Sequence, residues 1–162
     1  MQINNLNNGG TMALAKAGLA DGTTSTYTTT KAVPFIINNI YGTELGVKTN
    51  AATPTVDHAT GLTFVTVPKS KGCIIVYGVI AAGTIVACQG GLKSLDPANK
   101  FVIDPSFPSI PDTMCPFGYR IVENGSTGAD WVFGVGAFDA TGIVSIFADI
   151  GGLPHRPVAG TA

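Results

Sequence analysis

Charge is what this chain has least of. Its 162 residues include nine Lys and Arg and ten Asp and Glu, 12% in all, against roughly 25% in an average soluble domain. A formal net charge of -1 leaves little self-repulsion to hold copies apart. The basic residues are scattered singly, which excludes the positive patch that nucleic-acid backbones require. No apolar run approaches the ~20 residues of a membrane span, so neither nucleic acid nor membrane is an expected partner. The start, Met1-Gln2-Ile3-Asn4-Asn5, has neither the basic nor the apolar region of a signal peptide. A reducing cytosol is the expected place of synthesis.

Metal-ligand spacing is also missing. No Cys-x-x-Cys or His-x-x-x-His occurs, and His58 and His155 lie far apart. With three cysteines, at least one is unpaired. A hairpin of 72–80 and 84–90 about Ala81-Ala82-Gly83 sets Cys88 opposite Val76 or Tyr77, too far from Cys73 for a disulfide. Cys73, Cys88 and Cys115 are therefore expected as free, buried thiols.

Catalytic arrangements are thin. Asp57-His58 is adjacent in a polar loop, but no Gly-x-Ser-x-Gly elbow supplies an oriented nucleophile. Cys115 lies between Met114 and Pro116, with nothing nearby to lower its pKa. Gly134-Val135-Gly136 precedes no helix and is no phosphate loop. The loop from Glu123 to Asp130 carries oxygen ligands suited to calcium, though a hairpin loop explains the same composition. The chain is expected to be no enzyme and to hold no cofactor.

Glycine and proline, by contrast, are plentiful, at 21 and 10 residues. They favour short strands and turns. Residues 1–26 read as an N-terminal arm: four asparagines, a stretch 12–20 that could form two helical turns behind Thr11, then a hydroxyl-rich run. Residues 27–150 read as one β domain, and 151–162 as an extended tail. Strands are expected over 32–37 and 40–47 about Asn38-Asn39, over 62–67, over the apolar hairpin 73–80 and 84–89, and over the short piece 101–103.

The segment from Asp104 carries Pro105, Pro108, Pro111 and Pro116 and so excludes helix and central strand alike. It feeds 117–123, where Phe117, Tyr119 and Ile121 alternate with Gly118, Arg120 and Val122. Asn124-Gly125 closes that strand, and Trp131-Val132-Phe133 opens its hairpin partner. The last strand, 141–150, is apolar on both sets of alternate residues and is expected to be buried on both faces. The spacing predicts an all-β fold: a single antiparallel β-sandwich or a jelly-roll-like barrel. Trp131, Phe133, Phe117, Tyr119 and Phe138 suit a core or subunit interface better than a sugar-stacking platform, because no polar cluster accompanies them.

At Thr28-Thr29-Thr30, Pro34-Phe35-Ile36-Ile37-Asn38, Ile110-Pro111-Asp112, Pro116-Phe117-Gly118-Tyr119, Trp131-Val132-Phe133-Gly134, Thr141-Gly142-Ile143 and Leu153-Pro154-His155-Arg156-Pro157, the chain resembles small β-rich virion structural proteins of tailed bacteriophages. The likeness runs from about Thr28 to Pro157 and is a pattern of turns and strands, not an active-site signature. It implies a capsid decoration (cement) protein located on the virion, less often a head or tail fibre component. The implied partners are the major capsid protein and further copies of the chain, as a homotrimer. Ile3, Leu6, Met12, Leu14, Leu19, Tyr27, Trp131, Leu153 and Arg156 are the candidate assembly contacts. On this reading, deleting residues 2–26 leaves a folded domain that no longer binds capsids. The alternative is a receptor- or carbohydrate-binding β-module of a phage fibre or tail, the one reading that admits a glycan.

Overall fold

The computed structural model describes residues 10–151. Alternation of apolar residues between turn signals produces eleven strands: β1 (Met12–Ala13), β2 (Leu19–Asp21), β3 (Thr26–Thr29), β4 (Phe35–Ile37), β5 (Ile40–Tyr41), β6 (Lys48–Ala52), β7 (Lys71–Ile80), β8 (Ile85–Gln89), β9 (Lys93–Ser94), β10 (Met114–Asn124) and β11 (Ile143–Asp149). They form three antiparallel sheets, ordered β1-β4-β5, β2-β3-β6 and β11-β10-β7-β8, with β9 also on β7. The fold is all-β and sandwich-like, with no closed barrel and no helix among the described residues.

The largest sheet is buried through its centre, because β7 has apolar side chains on both faces. Cys73, Ile75, Tyr77 and Val79 enter the main core with Phe35, Leu45, Phe117, Val122 and Phe133. Ile74 and Val76 turn the other way and pack with Cys88 and Met114. Over that second face lies the proline-bearing segment 104–113, whose Ile110 joins the cluster. Its Phe107 ring meets Tyr119 edge-on at 5.0 Å. Three prolines hold this strap extended without needing ladder partners.

Several expectations hold. Asn38 and Asn39 take positive φ (51° and 64°) at the tip of the β4–β5 hairpin, the conformation a two-residue type I′ turn requires. In the β7–β8 hairpin Cys88 sits opposite Val76, and all three cysteines are free and buried.

Others are corrected. Residues 12–20 form no helix; β1 pairs with β4 and β2 with β3, and Ala13, Ala17 and Leu19 enter the core. Sheet partners and apolar burial override a weak helical propensity that two turns could not sustain alone. The segment 10–26 is thus part of the β body, not an arm. Residues 62–67 make only isolated bridges, Thr63 to Val56 and Val67 to Trp131, and Phe101 only a bridge to Leu95.

Pro116 lies within β10, a central strand. The register shifts between Pro116 and Gly118, and β11 pairs only from Gly118 onward. One side of β10 is therefore unladdered at the proline, where a missing N–H costs little. The hairpin partner of β10 is β11, not 131–133; residues 125–142 form a long excursion between them. Among the described residues strand β11 is an edge strand, with Val144 and Ile146 exposed, so the two-faced burial expected for it is not found there.

Candidate interaction surface

The bulge in β10 decides which side chains meet. Placing one extra residue at Phe117 puts it on the same face as Gly118, Arg120 and Val122, while Tyr119 and Ile121 turn under the strap. Arg120 consequently points into the core and is fully buried. Its guanidinium carbon lies 3.3 Å from the Phe138 ring centroid and 4.0 Å from that of Phe147, so the cation is held between two aromatic faces. Nη2 donates to Asp21 Oδ1 at 2.5 Å. Burial pulls the Arg120 pKa below its ordinary value, and neighbouring Tyr77 and Asp21 oppose that shift. Alternation placed Arg120 opposite the half-buried set; only the proline two residues before Gly118 hinted at a register slip.

Beside this pair a cleft of about 480 Å³ is lined by Asp21, Gly22, Thr23, Thr24, Phe138 and Asp139. Asp21 is committed to Arg120, Thr23 to Asn50 and Thr26, and Thr24 to the Thr23 carbonyl. The cluster ties β2 to the main sheet.

Asp57 and His58 do not act together. The Asp57 carboxylate accepts from the backbone N–H groups of Ala59 (2.8 Å) and Gln89 (3.1 Å), which pins the loop to the end of β8. His58 Nε2 lies 3.3 Å from Thr113 Oγ1, at the rim of an apolar groove of about 490 Å³ formed with Ile37, Ile80, Ala81 and Ala82. This places a histidine beside a loop threonine, and among the described residues no carboxylate pairs with its ring. Cys115 is buried, and burial pushes its pKa up to about 11, the opposite of an activated thiol.

In the 123–130 loop, Asn124 Nδ2 donates to the carbonyls of Val67 and Ala129, both at 2.8 Å, and Glu123 pairs with Lys100 at 3.8 Å. These contacts tie the loop to the chain at Val67 and Lys100 as well as to its own Ala129. Among the described residues, no three His, Cys, Asp or Glu side chains converge on a point.

The aromatic residues form a core. Trp131, Phe133 and Phe138 pack with Tyr77, Phe64 and Phe117, and Trp131 Nε1 donates to the Ala137 carbonyl at 3.0 Å. Trp131 is 3% exposed, so it presents no ring face to a sugar or a neighbouring subunit. Tyr27 and Leu19 are buried likewise. These three are corrected from assembly contacts to core residues. Leu14 is half-buried and Met12 exposed; Met12 stands in a cross-strand row with Ile36 and Tyr41. Ile3, Leu6, Leu153 and Arg156 lie outside the described residues.

Exposed large apolar side chains are spread over several strands and loops, among them Met12, Ile40 and Tyr41, Val56, Leu62 and Val65, Val102 and Ile103, and two of them, Val144 and Ile146, stand side by side on β11. Val144 and Ile146 project to the strap side of the sheet, opposite Glu123 and Ile121 of β10, and Phe107 lies over Tyr119 one row away. Several half-exposed large side chains sharing one face are the usual mark of a contact surface. No protein-family model, no curated protein and no solved structure matches the chain.

Proposed function

We propose that this protein is a virion structural protein, a phage capsid decoration or cement protein that binds across neighbouring capsid subunits and stabilises the shell. The observation that carries the reading is the exposed apolar pair Val144 and Ile146 on an edge strand, with Phe107 of the strap half-exposed over the neighbouring Tyr119, in a sparsely charged body. Such a surface is costly to leave in water and gains by contact with a second protein surface. The cement mechanism is mechanical. A protein that binds the assembled lattice and not its dissociated subunits stabilises the lattice by mass action, and the several sites of a homotrimer reinforce one another through effective concentration. The resemblance to tailed-phage virion proteins supports the same reading. Purified particles examined by negative-stain microscopy, with copy number from a stained gel, test it. Hundreds of copies on the head are expected; a dozen or fewer, confined to the tail, would point to the fibre alternative.

A further inference from the structure

The ladder between β10 and β11 fixes where β11 directs its backbone. Gly125 N–H donates to the Gly142 carbonyl and Ile150 N–H to the Phe117 carbonyl, both at 2.8 Å. These bonds bracket the paired segment and set its phase. The even-numbered residues of β11 turn their N–H and C=O groups toward β10, and the odd-numbered residues turn theirs to the open edge. Among the described residues no strand pairs with that edge.

The edge also lacks the usual protection. Strand β11, Ile143-Val144-Ser145-Ile146-Phe147-Ala148-Asp149, contains no lysine, no proline and no bulge. Its one charge, Asp149, is drawn inward to accept from the Leu19 N–H at 3.1 Å. Natural edge strands of this length normally carry one of those blocks against pairing.

We propose that the β11 edges of two copies pair antiparallel about a two-fold axis through Ile146. In this register the whole strand overlaps its mate. Ser145 and Phe147 of opposite copies exchange hydrogen bonds through their outward-facing groups. Ile146 faces its own mate as a non-hydrogen-bonded pair, and Val144 faces Ala148. The strap-side row of apolar side chains then continues across the axis. No charge is placed against a like charge within the paired strands, as an isologous contact demands.

The chain's own ends are poorer occupants. The residues after Gly151 contain Pro154 and Pro157. Three apart, they lack N–H groups on opposite sides of an extended strand, so one gap would face β11. Residues 1–9 contain four asparagines, which are depleted in strands. Seven residues span only ~23 Å, and the contact covers well under the ~800 Å² per partner of a standard stable interface. Pairing is therefore weak in dilute solution and strengthens where copies are crowded. This inference shares β11 with the capsid reading but does not rest on it: trapping is read on the isolated protein, and a two-fold pair of this kind would join chains of neighbouring trimers, not chains within one.

Disulfide trapping tests it, because the native thiols are buried and the mate of position 146 is position 146. Under mild oxidation at high protein concentration, Ile146→Cys is expected to yield reducible dimer at least about tenfold faster than Val135→Cys, an exposed position away from β11. Adding Ser145→Pro to Ile146→Cys removes an outward N–H, leaves the β10 ladder intact and should cut the rate by a similar factor. Should that proline impair folding, judged by Trp131 emission, Ile146→Lys replaces it, with sedimentation as the readout. Equal trapping at 146 and 135 overturns the proposal, as does association insensitive to both edge substitutions. Protected Ser145 and Phe147 amides in strictly monomeric protein would also overturn it, by showing the edge covered from within the chain.

Discussion

Arg120 and Asp21, 99 positions apart in sequence, meet at 2.5 Å and close β2 onto the central strand β10. The two ends of this contact differ: the arginine side chain is fully buried, while that of Asp21 is 45% exposed. Removing the carboxylate strands a cation between Phe138 and Phe147, whereas removing the cation leaves a carboxylate that water can reach. Asp21→Ala is therefore expected to cost on the order of 1–3 kcal/mol. Arg120→Met, which keeps the volume and needs no acceptor, should cost less, since an apolar isostere of a buried ion is often near neutral. Urea unfolding of both single variants and the double variant checks the order. An Asp21→Ala protein as stable as the parent would show that the contact is dispensable.

Alkaline pH should weaken the fold through its thiols. Burial pushes Cys73, Cys88 and Cys115 from 9.0 up to about 11, and Tyr27 from 10.0 up to about 12. The folded chain then keeps protons that the unfolded chain releases. With folded-state values raised, the associated stability is complete below pH ~9 and is lost as pH rises toward 11. Urea midpoints measured from pH 7 to 10.5 should stay level and then fall above pH ~9. Over the same range, thiol labelling should follow global unfolding. A flat profile to pH 10.5, or rapid labelling of native protein at pH 8, would contradict the burial of these side chains.

Trp131 separates the core reading from the glycan reading. Its ring is buried among Phe133 and Phe138, and its indole N–H is bonded to Ala137. Native emission should be blue-shifted and resistant to acrylamide, and Trp131→Ala should cost roughly 3–5 kcal/mol. Strong quenching in the native state, with little loss of stability on substitution, would restore an exposed platform.

Much of this fold was legible because local signals and tertiary partners agreed. Asn38-Asn39 demanded a tight hairpin, the 73–89 run demanded a buried one, and both are present. Legibility ended where one residue changed the register. Alternation along 117–123 is regular in sequence, yet the bulge beside Pro116 assigns Phe117 and Arg120 to one face. The strand 141–150 was apolar on both sides, a pattern shared by central strands and by edges that meet another surface; only sheet order tells them apart. Trp131-Val132-Phe133 resembled a strand because a buried loop and a strand fill a core with the same residues. The candidate surface was hidden for the same reason: Val144 and Ile146 read as interior.

Substitutions on that surface should separate folding from assembly. Phe107→Ser and Ile146→Ser remove half-exposed apolar side chains; Ile146→Ser should shift stability by no more than about 0.5 kcal/mol, and Phe107→Ser should cost about 0.5–1.5 kcal/mol for its edge-on contact with Tyr119. If that surface is the capsid contact, both variants should remain folded and lose particle occupancy. Full occupancy by the double variant would move the contact elsewhere, with the Met12, Ile36 and Tyr41 row the next place to look.

Truncation at the N-terminus probes the reassigned boundary. Deleting residues 2–26 removes β1, β2, the core side chains of Ala13, Ala17 and Leu19, and the Asp21 carboxylate that Arg120 requires. Each of those losses alone is worth a fraction to a few kcal/mol, against a whole-domain stability of about 5–15 kcal/mol. That truncation should fail to fold, or should show a broadened, low-temperature unfolding transition. Deleting residues 2–9, which leaves all of these groups in place, should preserve the parent's circular dichroism and unfolding midpoint. Cooperative, parent-like unfolding of the longer deletion would mean that 10–26 is an appendage after all, and that the burial of Leu19 and the Arg120 pair contribute nothing to holding the sheets together.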